Sequence, residues 1–167
     1  CIADINDIDC FNSSFSIFNS NGIEIDDFIV KESDNVYVVL HMHNLPNSLE
    51  GLIIDINYNS NDLFLNNWSL NPEEFDLEGS IAGELNNSNE LYIEIDSTFI
   101  DNAIFKAVIY TTNELYQGND GNMLFLQFFN IGNVGESTVI SYNKVQVNEH
   151  VMKKQNYTER IIYFGDC

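Results

Sequence analysis

The residues best suited to hold an ion lie in Cys1–Cys10, CIADINDIDC, where Asp4, Asn6, Asp7 and Asp9 offer the hard oxygen ligands that Ca²⁺ takes. An EF-hand register counted from Asp4 fails at Ile8 and Asp9, where it needs a short polar residue followed by glycine. Ile2, Ile5 and Ile8 interleave with the acids. The segment therefore also reads as a strand or arm that packs on a neighbour. His41 and His43 fall on one side of an extended stretch, about 6.5–7 Å apart by strand rise. With a third ligand the two imidazoles suit Zn or Cu, and without one they are a surface pair. Trp68, in Asn66-Asn67-Trp68-Ser69, is a candidate for stacking against a sugar ring, and by period two Phe64 shares its face. Core packing or an interface role is the competing reading for this tryptophan. No Gly-x-Ser-x-Gly, phosphate loop or His-Glu-x-x-His occurs, and carboxylate pairs such as Glu73-Glu74 are too plentiful to mark a site. An enzyme is not expected.

The three cysteines, Cys1, Cys10 and Cys167, sit only at the extremes of the chain. A Cys10–Cys167 or Cys1–Cys167 bridge would tie the ends together in an oxidising compartment. The third thiol could then stay free, pair with another chain or, at Cys1, carry a lipid. Their spacing matches no zinc pattern.

Charge narrows the partners. Six basic residues stand against 26 acidic ones, a net charge of −20. Phosphate backbones and anionic membranes require clustered Lys and Arg, so nucleic acid is excluded as a partner. Such a surface suits a protein kept soluble in salt, one that binds Ca²⁺, or one that meets a basic partner. The longest apolar runs fall well short of the ~20 residues a helical membrane span needs. At 167 residues with 44% hydrophobic content, one folded domain is expected.

The elements that must position these residues all read as strands. Phe15–Phe18 and Ile23–Val30 flank Asn21-Gly22 turn chemistry. Val36–His43 alternates, with Val36, Val38, Leu40 and Met42 on one face and Tyr37, Val39, His41 and His43 on the other. Leu49–Tyr58, Leu63–Leu70, Ile81–Leu85, Leu91–Asp96 and Ala103–Thr112 follow, with turn signals between them. Asn119-Asp120-Gly121 leads into the continuous apolar run Met123–Phe129, the signature of a strand buried between layers, and Thr138–Val147 resumes alternation. No amphipathic helix of useful length appears. Strands about every 8–14 residues predict a β-sandwich.

Taken in order, Val36–Leu40, then Leu49-Glu50-Gly51-Leu52-Ile53-Ile54-Asp55-Ile56-Asn57-Tyr58, then Leu63-Phe64-Leu65 resemble the opening of cohesin domains. Gly118–Phe129 resembles the cohesin glycine-rich turn that leads into an apolar strand ending in Phe. Gly135–Val147 resembles the closing strand, with Val145-Gln146-Val147-Asn148 at its end. The resemblance spans Ile23 to Asn148. It implies a jelly-roll sandwich of about eight to nine strands in two antiparallel sheets that docks a partner module, typically dockerin, on one sheet face. It assigns no individual residue to that face.

The chain is thus expected to be all-β, with an acidic arm over residues 1–14 and a cohesin-like sandwich over 15–167. Its expected role is a non-catalytic extracellular or cell-surface module that recognises a protein. Two alternatives are a filament or surface-layer subunit joined to copies of itself by strand addition and terminal disulfides, and a carbohydrate-binding module using Trp68.

Overall fold

The computed structural model describes residues 12–18, 29–30, 35–43, 45, 49–70, 91–96, 103–111, 121–133, 135–151 and 160–164. Eleven strands occur among them: β1 Asn12–Phe18, β2 Ile29–Val30, β3 Asn35–His43, β4 Leu52–Asn57, β5 Leu63–Ser69, β6 Leu91–Ile95, β7 Ile104–Thr111, β8 Gly121–Asn130, β9 Ser137–Val147, β10 His150–Val151 and β11 Arg160–Phe164. A four-stranded sheet runs β1-β3-β8-β5, and a larger sheet runs β2-β11-β9-β4-β7-β6 with β10 folded back onto β9. The pairings are antiparallel except for the short parallel contact between β2 and β11. This is the expected all-β jelly-roll sandwich of two sheets. It exceeds eight or nine strands by short pieces such as β2 and β10, two residues each.

Alternation decides which residues face the interior. Val36, Val38, Leu40 and Met42 of β3 point inward and meet Leu52, Ile54 and Ile56 of β4, Phe105, Ala107 and Ile109 of β7, and Ile140, Val145 and Val147 of β9 in one cluster. Burying that many branched and aromatic side chains, at about 25 cal/mol per Å² removed from water, is the main stabilising contribution. The continuous apolar run of β8 has a specific cause. Leu124, Leu126 and Phe128 face the core, while Phe125 turns the other way and joins Tyr37 and Val39, with Phe18 against them. β8 is therefore apolar on both faces. A bulge between Leu40 and His41 of β3 leaves Met123 of β8 outside the pairing and fully buried.

Polar contacts tie the layers together. The Ser13 hydroxyl on β1 donates to the Tyr142 hydroxyl on β9 at 2.6 Å, and the Phe15 and Tyr142 rings stack at 4.0 Å. One residue of the larger sheet is thereby held by two of the smaller sheet. At the β9–β10 turn, Asn148 adopts a φ of 54°, a backbone that Asn tolerates better than most side chains. Its Oδ1 accepts from the amides of Glu50 and Gly51 at 2.8 and 3.2 Å, which fixes the entry to β4.

Residues 1–11 and 165–167 lie outside the described residues, and with them Cys1, Cys10, Cys167 and the oxygen ligands Asp4, Asn6, Asp7 and Asp9. The strand expected over Ile81–Leu85 lies outside them as well.

Candidate functional site

The outward face of β9-β4-β7-β6 is built by the same alternation that fills the core. In β4, inward Leu52, Ile54 and Ile56 force Ile53, Asp55 and Asn57 outward. In β7, inward Phe105, Ala107 and Ile109 leave Ile104, Lys106, Val108 and Tyr110 on the outside. β6 contributes Tyr92 and Glu94, and β9 contributes Val139, Ser141, Lys144 and Gln146.

Register sets these side chains in rows. Asp55 is paired with Lys106 on one side and Lys144 on the other. The Lys106 Nζ lies 3.2 Å from Asp55 Oδ2. Asp55 is only 5% exposed although it sits on the outer face. Two of the six basic residues of a strongly acidic chain thus flank a single carboxylate. In the next row Ile53 lies between Val108 and Gln146, and Val108 is followed by Glu94 of β6. Tyr92 and Tyr110 are register partners, and their rings stack at 5.6 Å. Tyr92 is 44% and Val139 42% exposed. The face is a flat aliphatic and aromatic strip around a Lys–Asp–Lys row.

At one end the face falls into an open hollow of about 510 Å³, lined in part by Asn57, Tyr58, Ala103, Ser137, Thr138 and Val139. Here β9 runs on past the last β4 pair, Asn57 with Ser141. The Thr138 hydroxyl is buried there with no hydrogen-bond partner among the described residues. The face has the makings of a docking surface: apolar area for affinity, a fixed charge row for register, and a recess at one end. Among the described residues no group of three His, Cys, Asp or Glu side chains could hold a metal.

The sequence-expected residues fall elsewhere. His41 and His43 both lie on the outer side of β3, and His41 Nδ1 is 3.0 Å from Asn122 Oδ1. Trp68 turns inward, packs on the core and tilts against Phe105 at 5.9 Å between ring centroids. The expectation that Phe64 shares its face is therefore corrected. The β5–β8 register shifts between Leu65 and Asn67, so one extra residue at Asn66 reverses the alternation. Phe64 points out at 59% exposure, opposite Phe129 of β8. The outer face of β9-β4-β7-β6 carries no sequence motif that singles it out. Asp55 is one of 26 acidic residues and has no distinguishing neighbour along the chain.

No family model matches this sequence, and no curated protein does. Solved structures do. The seventh ScaB type I cohesin from Pseudobacteroides cellulosolvens superposes with a TM-score of 0.60 at 10% identity, covering 94% of this chain and 93% of that one. The cohesin module from a Clostridium perfringens family 33 glycoside hydrolase gives 0.59 at 10% identity, covering 92% and 97%. A type I cohesin–dockerin complex from Clostridium thermocellum gives 0.56 at 10% identity, covering 93% and 95%. The chain has the fold of cohesin modules across nearly its whole length.

Proposed function

We propose that this chain is a non-catalytic module that binds a protein through the outer face of β9-β4-β7-β6. The observation that carries the reading is Asp55, which is nearly buried on a face that points away from the core and is flanked by Lys106 and Lys144 amid Ile53, Val108, Tyr92 and Tyr110. Desolvating a carboxylate costs free energy that a single partly exposed lysine offsets only in part, so the row is better explained as a fixed polar register for a partner. The stacked tyrosines beside it are of the residue type that anchors interfaces. A structural neighbour of the same fold is a cohesin in complex with dockerin, which supports a dockerin-like module as the partner.

Capture on immobilised type I and type II dockerin modules tests this. Retention of the chain by at least one of them, lost when Tyr110 becomes Ala, is the expected result. Failure of every dockerin to retain it would sink the dockerin assignment. Retention that Asp55→Ala and Tyr110→Ala both leave intact would move the interface elsewhere. An extracellular or surface setting goes with this reading, and bridges among Cys1, Cys10 and Cys167 would form in such an oxidising compartment. Calcium held by Asp4, Asn6, Asp7 and Asp9 is a companion proposal. EDTA should then lower the melting temperature, and an unchanged value would remove it.

A further inference from the structure

We propose that the opposite face of the sandwich, the outer side of β1-β3-β8-β5, is a second binding surface whose ligand is an uncharged polysaccharide. The first observation is one of charge. No residue of β1, β3, β5 or β8 is Asp, Glu, Lys or Arg, although these types make up 19% of the chain. The main strands of the larger sheet carry Asp55, Glu94, Lys106 and Lys144. A sheet face whose ionisable side chains are two histidines, His41 and His43, within a chain of net charge −20 offers no permanent charge to an ionic ligand, and the surrounding field repels an acidic one.

The second observation is geometric. The bulge at Asn66 sends Trp68 inward and leaves Phe64 and Phe129 side by side on the outside, 59% and 37% exposed. Beside them runs an ordered row of polar groups. Asn66 Nδ2 donates to Gln127 Oε1 at 3.1 Å, and Gln127 Nε2 donates to the Tyr37 hydroxyl at 3.0 Å. Asn67 Oδ1 accepts from the Trp68 amide at 2.9 Å, which holds its carboxamide in place. Each carboxamide has two donor hydrogens and an acceptor oxygen, so these internal bonds orient the groups without exhausting them. Apolar rings flanked by pre-oriented amides match a sugar, whose C–H face is apolar and whose rim is hydroxyl.

The exposed apolar part of this face is small: among the described residues of β1, β3, β5 and β8, Phe64 and Phe129 are the large hydrophobics that stand exposed. A protein interface centres on a broader apolar core, whereas a sugar ring needs one or two aromatic platforms beside a few placed polar groups. With no Lys or Arg on the strands, an anionic lipid surface is disfavoured as well.

Affinity electrophoresis of the full chain tests the proposal, with mixed-linkage β-glucan, xylan, galactomannan or hydroxyethylcellulose in the gel and polygalacturonate as the acidic control. At least one neutral polymer should retard the protein, and Phe64→Ala or Phe129→Ala should weaken that retardation at least tenfold. Asp55→Ala, on the other sheet, should leave it unchanged. Both phenylalanines are surface residues, so melting temperatures near that of the parent would show the variants are folded. The proposal fails if no neutral polymer retards the chain, if polygalacturonate does so equally well, or if the phenylalanine variants bind as before. It also fails if those variants instead abolish a concentration-dependent self-association seen by sedimentation, which would assign the face to a second copy.

Discussion

At the scale of single residues, Tyr142 illustrates how one side chain binds the two layers and ties stability to pH. Burial pushes its phenol well above the ordinary 10.0, against the opposing pull of the Ser13 hydrogen bond. Below about pH 10 the phenol keeps its proton in both folded and unfolded chains, and its contribution is complete. Above that, the unfolded chain releases the proton while the folded one retains it. Stability should then fall by about 1.4 kcal/mol per pH unit from this residue alone. Tyr37 is shifted in the same direction by burial, so the parent must be compared with Tyr142→Phe. Urea unfolding of both between pH 8 and 11.5 should show the variant about 1 kcal/mol less stable at pH 8, because Ser13 loses its acceptor, and less sensitive to alkali. Parallel pH curves would show that Tyr142 ionises freely in the folded state.

At the scale of strands, much was legible from alternation. Val36–His43, Leu63–Leu70, Ala103–Thr112 and Thr138–Val147 correspond to β3, β5, β7 and β9, because one face of each is buried and side chains alternate with a period of two outside the bulges. The bulge in β5 was not legible. Period-two counting from Phe64 to Trp68 assumes an unbroken ladder, and nothing in Leu65-Asn66-Asn67 announces the extra residue. β11 was also missed, since Arg160–Phe164 is five residues long and follows a polar stretch. The candidate docking face was legible only as an alternation of outward residues. Asp55 acquires its meaning from Lys106 and Lys144, which lie about fifty and ninety positions away on paired strands. Deleting Asn66 tests the reading of the bulge. Leu65, Asn67 and Trp68 then meet Phe128, Gln127 and Leu126 in an unbroken ladder, so Trp68 should stay inward on Phe105 and Asn67 outward. Tryptophan emission of the deletion variant should match that of the parent. A red shift to the emission of a solvated indole would show that this one residue does not set the alternation.

At the scale of the whole molecule, the sandwich carries its net charge of −20 unevenly. One sheet has strands free of charge, and the other carries a Lys–Asp–Lys row. Self-repulsion of the acidic surface destabilises the compact state, and salt screens it within about 10 Å at 0.1 M. The melting temperature should therefore rise between 0.02 and 0.5 M NaCl. A fall would point to ion pairs as the dominant electrostatic contribution. The asymmetry between the faces also bears on partner docking. Binding to a dockerin panel, measured in parallel for Asp55→Ala and Tyr110→Ala on the larger sheet and Phe64→Ala on the smaller one, tests the proposed function most directly. The expected result is a loss of about 2 kcal/mol or more, roughly thirtyfold in Kd, for each of the first two and no change for the third. Full affinity in both large-sheet variants, or a loss confined to Phe64→Ala, would contradict it.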